Sequence, residues 1–270
     1  MKKILALVLT LIICLGSFVG CSKSTDEEST TVKLGVTGDE HEVWDLVKEK
    51  LEKDGINLEI ISFSDYIKPN IALEEGEIDI NAFQHHAYLE NFNKERGLNL
   101  VSIGDTVFAP MAIYPGKTKS LEEIKEGSKI AVPNDATNLG RALILLENAG
   151  LIKLKEGVGL LPTLKDIAEY TKDVEIIELT ATQIPRSLED VDVAVINSGV
   201  AVNAGLSPTN SSLFMENSDL ETSKPYINLI ATKEENKDKE IYKKVVEAYQ
   251  SDDIKEAINK LFKGESIPAF

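Results

Sequence analysis

Cysteine is almost missing from this chain: among 270 residues there are two, Cys14 and Cys21. Both lie near the start, so a disulfide framework, a thiolate cluster or a cysteine nucleophile in the body of the chain is excluded. Histidine is scarce too, with His41, His85 and His86 as the full set. A metal site built on separated histidines and carboxylates has little to draw on, and adjacent side chains such as those of His85 and His86 diverge on a regular element. Positive charge is short: 29 Lys and Arg against 45 Asp and Glu leave a net charge of −16. That excess of acid argues against nucleic acid as a partner and against electrostatic adhesion to anionic lipid. Also lacking are G-x-S-x-G, a P-loop, G-x-G-x-x-G and H-E-x-x-H, and Ser187 and Ser198 have no evident histidine partner. Binding rather than turnover is therefore the expectation, with no cofactor.

What is present begins with a leader. Met1-Lys2-Lys3 is followed by an apolar run from Ile4 to Ile13, too short to span a bilayer with its flanks. Ser17-Phe18-Val19-Gly20-Cys21 resembles a bacterial lipobox, with Phe18 where Leu is more usual. The expectation is a signal peptide over 1–20 and a lipid-bearing Cys21 as the first mature residue. Residues 22–31 contain no apolar side chain and read, with Cys21, as a flexible tether over 21–31. Removing 1–20 deletes two lysines and no acids, taking the net charge to −18. The remainder is long enough for one large or two small domains.

From Val32 the chain alternates between strand and helix patterns. Val32–Thr37, Ile56–Ile61, Glu77–Ala82 and Asn99–Ile103 read as strands. Between them, Val43, Leu46, Val47 and Leu51 mark one helix, Tyr66–Glu74 a second with Pro69 in its first turn, and Tyr88, Phe92 and Arg96 a third. This βαβαβαβ order is that of an α/β lobe. A middle block continues the alternation through Ile130–Gly150, Val174–Leu179 and Val191–Ile196. Tyr226–Thr232 is a late strand, and helices over Lys239–Gln250 and Asp252–Phe262 close the chain. Apolar segments near 107–114 and 226–232 bracket the middle block. The expected division is one lobe from 32–110 with 226–270, a second from 111–225, and a cleft between them that a hinge can close.

Four segments carry chemical content. Pro133–Arg141 (Pro-Asn-Asp-Ala-Thr-Asn-Leu-Gly-Arg) joins a strand to a helix through residues favoured at N-caps, with Arg141 one turn inside. Free backbone N–H groups at such a helix start, with a guanidinium fork beside them, suit a carboxylate. Alternatively, Arg141 faces solvent or pairs with Glu147 or another surface acid. In Asp79–Leu89, a strand end followed by Phe83, His85 and Tyr88 sets aromatic faces near one edge, suited to an apolar or thioether side chain; an ordinary core role is the alternative. In Gln183–Asn197, a short helix and an apolar strand end on Asn197, where α/β folds place ligands. Asn228 is a lone polar residue in an apolar strand and needs a specific partner if buried.

With these segments in view, the chain resembles the methionine-binding lipoprotein family, the NlpA-type solute-binding components of methionine ABC importers. The resemblance runs over nearly the whole mature chain and is sharpest at Asp79–Leu89, Val132–Lys155, Gly157–Thr163, Gln183–Asn197 and Tyr226–Ala231. It implies a two-lobed, type II periplasmic-binding-protein fold of the α/β class, closing over a free amino acid. It implies that Arg141 pairs with the ligand carboxylate and that Asn138, Asn197 and Asn228 hydrogen-bond its carboxylate and ammonium. Tyr66, Phe83, His85 and Tyr88 are then the side-chain pocket. The implied partners are methionine, an ABC permease with its ATPase, and a bacterial membrane reached through the lipid on Cys21 at the extracytoplasmic face. Two departures stand out: Ser198-Gly199-Val200, where the family often has an aromatic, and His86-Ala87, where a Lys-Pro or similar pair is common. They keep D-methionine, a methionine-containing dipeptide or another apolar amino acid open beside L-methionine. More distant alternatives are a metal-binding or a non-transport surface lipoprotein.

Overall fold

The computed structural model describes residues 30–39, 41–219 and 223–270. The leader, Cys21 and nearly all of the tether lie outside the described residues.

The first stretch runs β1 (Thr30–Thr37), α1 (Glu42–Glu52), β2 (Ile56–Phe63), α2 (Lys68–Glu75), β3 (Ile80–Asn81), α3 (His86–Arg96) and β4 (Leu100–Phe108). The order is the one the periodicity predicts. β3 is shorter than the Glu77–Ala82 run suggests, because only Ile80 and Asn81 align with β1. Pro69 sits in the first turn of α2, where its missing N–H costs nothing. Leu46, expected on the buried stripe of α1, is exposed, and Trp44 turns inward instead, with its ring centroid 4.6 Å from that of Tyr249.

The chain then leaves through β5 (Ala112–Pro115), β6 (Lys129–Pro133), α4 (Ala136–Asn148), β7 (Ile152–Leu154), β8 (Ile167–Tyr170), β9 (Glu175–Leu179), β10 (Val193–Ile196), α5 (Ser198–Asn203) and β11 (Phe214–Met215). It returns with β12 (Ile227–Lys233), α6 (Glu240–Tyr249), α7 (Asp252–Phe262) and β13 (Ile267–Pro268). The short helix expected at the start of Gln183–Asn197 is a 3-10 helix over Ala181–Ser187.

Two mixed sheets result. One has the order β13-β4-β12-β3-β1-β2 and the other β11-β5-β10-β6-β9. In the first, β1 is parallel to β2 and β3, while the returning β12 runs antiparallel to β3 and β4. In the second, β6 is parallel to β9 and β10, and β5 is antiparallel to β10.

Both sheets are covered on two faces, which is why their central strands are apolar without alternation. Val193 and Val195 of β10 join a core with Leu139, Leu143 and Leu146 of α4. Ala194 and Ile196, pointing the other way, pack with Ile184, Val200 and Ala201. In the first sheet, Val32, Leu34 and Val36 meet Val47, Leu51, Val245 and Ile258 on one side. Leu229 and Ala231 meet Leu73 and Leu89 on the other. The fold is two-lobed and α/β, of the type II binding-protein class, with one crossing near residues 109–111 and the return reaching the first lobe at 223–226.

The lobes touch beyond the crossings. The Asp39 N–H donates to Asn203 Oδ1 at 2.9 Å, and the Ser198 hydroxyl donates to the Glu265 carbonyl at 3.2 Å. Glu265 Oε1 accepts from Thr209 Oγ1 at 3.0 Å and from the Ser207 hydroxyl. Gly38, at φ +82°, lies so close to Asn203 that a Cβ there would sit 2.3 Å from its Nδ2.

Candidate functional site

Strand ends from both lobes converge on one cavity. Its walls are Thr37, Tyr66, Phe83, Gln84, His85, Tyr88 and Asn228 from the first lobe, Ala109 at a crossing, and Asn138, Arg141, Asn197, Ser198 and Gly199 from the second. Its empty volume is about 490 Å³, part of it open to solvent. All eight ligand-site residues named from the sequence therefore line one cavity, although they span positions 66 to 228. This is the crevice at the carboxyl ends of strands where open α/β sheets place ligands.

The polar end is built on α4. Asp135 is its N-cap and accepts from the Asn138 N–H at 3.0 Å. This corrects the expectation of an open anion site at the helix start, because the protein's own carboxylate fills it. Asp135 also accepts from the Asn138 side-chain amide at 2.9 Å. Burial raises the Asp135 pKa, opposed by these hydrogen bonds. Asn138 Oδ1 in turn accepts from Asn197 Nδ2 at 2.6 Å. The other end of that amide, Asn197 Oδ1, is buried and has no hydrogen-bond partner among the described residues.

Arg141 is 3% exposed. It faces neither solvent nor Glu147, whose Oε1 instead accepts from the Leu154 N–H. Its partner is Glu216, at the outer end of β11. Nε donates to Glu216 Oε1 at 2.8 Å and Nη2 to Oε2 at 2.6 Å, a fork-on-carboxylate pair. Nη2 also donates to the Ala109 carbonyl at 3.0 Å. The guanidinium carbon lies 4.6 Å from the Tyr226 ring centroid and 5.7 Å from that of Phe108, a cation held between aromatic faces. Nη1 takes part in none of these hydrogen bonds.

The apolar end is an aromatic cluster. Phe83 lies 5.9 Å from Tyr66 and 6.0 Å from Tyr88, the latter edge to face. The Tyr88 hydroxyl is anchored on the Tyr66 carbonyl at 2.7 Å. His85 joins the two ends. Its Nδ1 accepts from the Tyr88 N–H at 3.0 Å and caps α3, so the proton of the neutral ring sits on Nε2. That Nε2 faces Asn138 Oδ1 at 3.5 Å. Burial, then the Arg141 charge, depress the His85 pKa to about 3, so the ring is neutral at physiological pH.

Beneath Phe83 lies a buried amide cluster. Asn70 and Gln84 exchange hydrogen bonds of 2.8 and 2.7 Å, and Asn81 joins both at 2.9 Å. It fixes the loop that carries Phe83 and His85. Asn228 is half-buried in β12, bridged to His85 through the backbone. His86 diverges from His85 and pairs with Asp105 at 2.7 Å. Among the described residues no group of three His, Cys, Asp or Glu could hold a metal ion.

Sequence reasoning missed Glu216, Thr37 and Gln84 as site residues, and reached Ser198 and Gly199 only as a departure bearing on specificity. Thr37 ends the expected strand Val32–Thr37 and Gln84 lies inside Asp79–Leu89, so both could have been reached by asking what else ends at that edge. Glu216 stands 75 positions from Arg141 with no local pattern to announce it.

Two α/β lobes crossed twice, with a small cavity polar at one end and aromatic at the other, define a solute-binding protein rather than an enzyme. Comparison with known proteins agrees. The chain belongs to the NlpA lipoprotein family, which it matches over residues 32–270. It is 48% identical to the D-methionine-binding lipoprotein MetQ of Escherichia coli O157:H7, over 93% of this chain and 92% of that one. A nutrient-binding protein from Burkholderia cenocepacia, solved bound to methionine, superposes with a TM-score of 0.83 at 45% identity, covering 88% of this chain and all of that one. The substrate-binding protein of a methionine transporter from Streptococcus pneumoniae gives a TM-score of 0.83 at 42% identity, over 89% and 96% of the two chains. Membership of a lipoprotein family groups the chain with membrane-anchored, extracytoplasmic proteins. No described helix is long and apolar enough to cross a membrane.

Proposed function

We propose that this chain is the methionine-binding component of an ABC importer, tethered by lipid at Cys21 to a bacterial membrane on its extracytoplasmic side. It takes the free amino acid into the interlobe cavity and hands it to a permease driven by an ATPase. The observation that carries this reading is the division of one cavity into two chemistries. Arg141 Nη1 offers N–H donors for a carboxylate, and Asn197 Oδ1 offers an unpartnered acceptor for an ammonium. Asn138 holds Asn197 in place, and Asn228 adds a polar group from the opposite lobe. At the other end Tyr66, Phe83, Tyr88 and neutral His85 present ring faces and edges, an environment in which a thioether packs well.

The named relatives support the same ligand. One is called D-methionine-binding, one was solved with methionine, and one belongs to a methionine transporter. L-Methionine is the first candidate, with D-methionine, a methionine-containing dipeptide and another apolar amino acid as its competitors. Gly199 lines the wall, and an added Cβ there meets nothing within 4 Å, so this side leaves room for a longer ligand.

A thermal-shift series on ligand-stripped protein tests the reading. A ligand at ~100 times its Kd adds about 2.7 kcal/mol to the stability of the bound state. L-Methionine is expected to raise Tm the most; no shift with any methionine form would end this reading.

A further inference from the structure

We propose that Glu216 sets the charge class of the ligand: by neutralising Arg141 within the cavity wall, it makes the polar end select a net-neutral zwitterion over a simple carboxylate. The proposal rests on the amino-acid reading above and deepens it.

An isolated buried guanidinium attracts any anion that fits. Arg141 is not isolated. Glu216 takes Nε and Nη2 in a bidentate pair, and both side chains are well shielded, at 3% and 13% exposure. Glu216 is itself held: its Oε2 accepts from the Met111 N–H at 2.6 Å, and its own N–H donates to the Met111 carbonyl at 3.0 Å. The carboxylate is thus tied to both crossings, which holds it against Arg141. The other titratable groups at this end are Asp135, buried behind Asn138, His85, which is neutral, and Tyr66 and Tyr226, whose phenols burial keeps protonated.

A lone carboxylate set against a compensated ion pair leaves one negative charge out of water with nothing to balance it, which is costly. A ligand that brings its own ammonium adds no net charge. Asn197 Oδ1, buried and unpartnered, has the right polarity to receive that ammonium. Nη1 still gives the ligand carboxylate its directional contact. Glu216 is therefore a specificity-determining residue that stands behind the contact surface.

Calorimetric titrations with methionine and with its deaminated analogue, hydrogen in place of the ammonium, test this on wild type, Glu216→Gln and Glu216→Asp. Wild type is expected to hold methionine at least about 100-fold more tightly than the analogue, as a site built for a polar group rejects a ligand lacking it. Lost hydrogen bonds contribute to that gap in every variant, so the change in the gap is the readout. Glu216→Gln is expected to shrink it at least about ten-fold, and Glu216→Asp to leave it within about three-fold. An unchanged gap in Glu216→Gln overturns the proposal. If that variant does not fold, wild type decides: binding of the analogue within about ten-fold of methionine also overturns it. A wild type that binds neither compound overturns the amino-acid reading instead.

Discussion

Arg141 shows how a residue can be located correctly from sequence and still be misjudged in its surroundings. The strand, polar loop and helix that carry it are legible in Pro133–Arg141. The Glu216 carboxylate is not, because one acid among 45 gives no signal of which guanidinium it meets. Arg141→Ala therefore has two expected effects. Binding weakens by about 2–5 kcal/mol, as for loss of one partner of a buried charged contact. The apo protein also loses about 3–5 kcal/mol, because Glu216 is left shielded and unpaired. Calorimetry reads the first and denaturant unfolding the second. Arg141→Lys recovers little of either, since an ammonium cannot replace the fork on Glu216 and the Ala109 carbonyl together. His85 gives a prediction of a different kind. Its folded pKa, about 3, lies below the ordinary value of 6.5, so the unfolded chain takes up the proton first as pH falls. Stability is thus fully present above pH 6.5 and drains away below it. Going from pH 7 to pH 5 is expected to cost about 2 kcal/mol through this residue. Comparing the pH dependence of unfolding for wild type and His85→Gln isolates that part; equal slopes would contradict it.

Elements were easier to read than their ends. Periodicity placed α1 to α4, α6 and α7 to within a few residues, because amphipathic stripes and terminal glycines or prolines are local signals. It overextended β3, whose length depends on how far β1 runs beside it, and it gave no hint that Leu46 would be exposed. The start of α4 is the instructive case. Asn134, Asp135, Thr137 and Asn138 are all good caps in sequence, and only the backbone turn decides that Asp135 is the one used. A capping carboxylate and an anion-binding helix start look the same until that choice is made. Asp135→Ala is expected to lower stability by about 0.5–2 kcal/mol. It is also expected to weaken binding, since Asn138 loses the partner that orients it toward Asn197. Asp135→Asn keeps an acceptor at the cap and removes the cost of burying a charge, so it should restore most of the stability. A chemical-denaturation series on the two variants checks the order; Ala as stable as Asn would contradict it.

At the scale of the whole molecule, function depends on two lobes meeting across strand ends. The α/β class is visible in the alternation of elements, and the return of an apolar strand after the middle block suggests the second crossing. The partners across the cleft are not visible, because Asp39 and Asn203, or Thr209 and Glu265, share no local pattern. These contacts lie outside the aromatic pocket and join the two lobes. Asn203→Ala is expected to raise the Kd for methionine several-fold, mainly through faster release, with the apo Tm little changed. Stopped-flow release measurements would show it, and an unchanged release rate would remove Asn203 from the account. The interlobe cavity is expected to hold a zwitterionic, methionine-type amino acid through Arg141. Calorimetric titration of methionine into ligand-stripped wild type and Arg141→Ala tests it most directly. Saturable one-to-one binding to wild type, with affinity lost or reduced at least about 30-fold in the variant, is the predicted result. Equal affinity in the two proteins, or no binding of any methionine form to wild type, would contradict it.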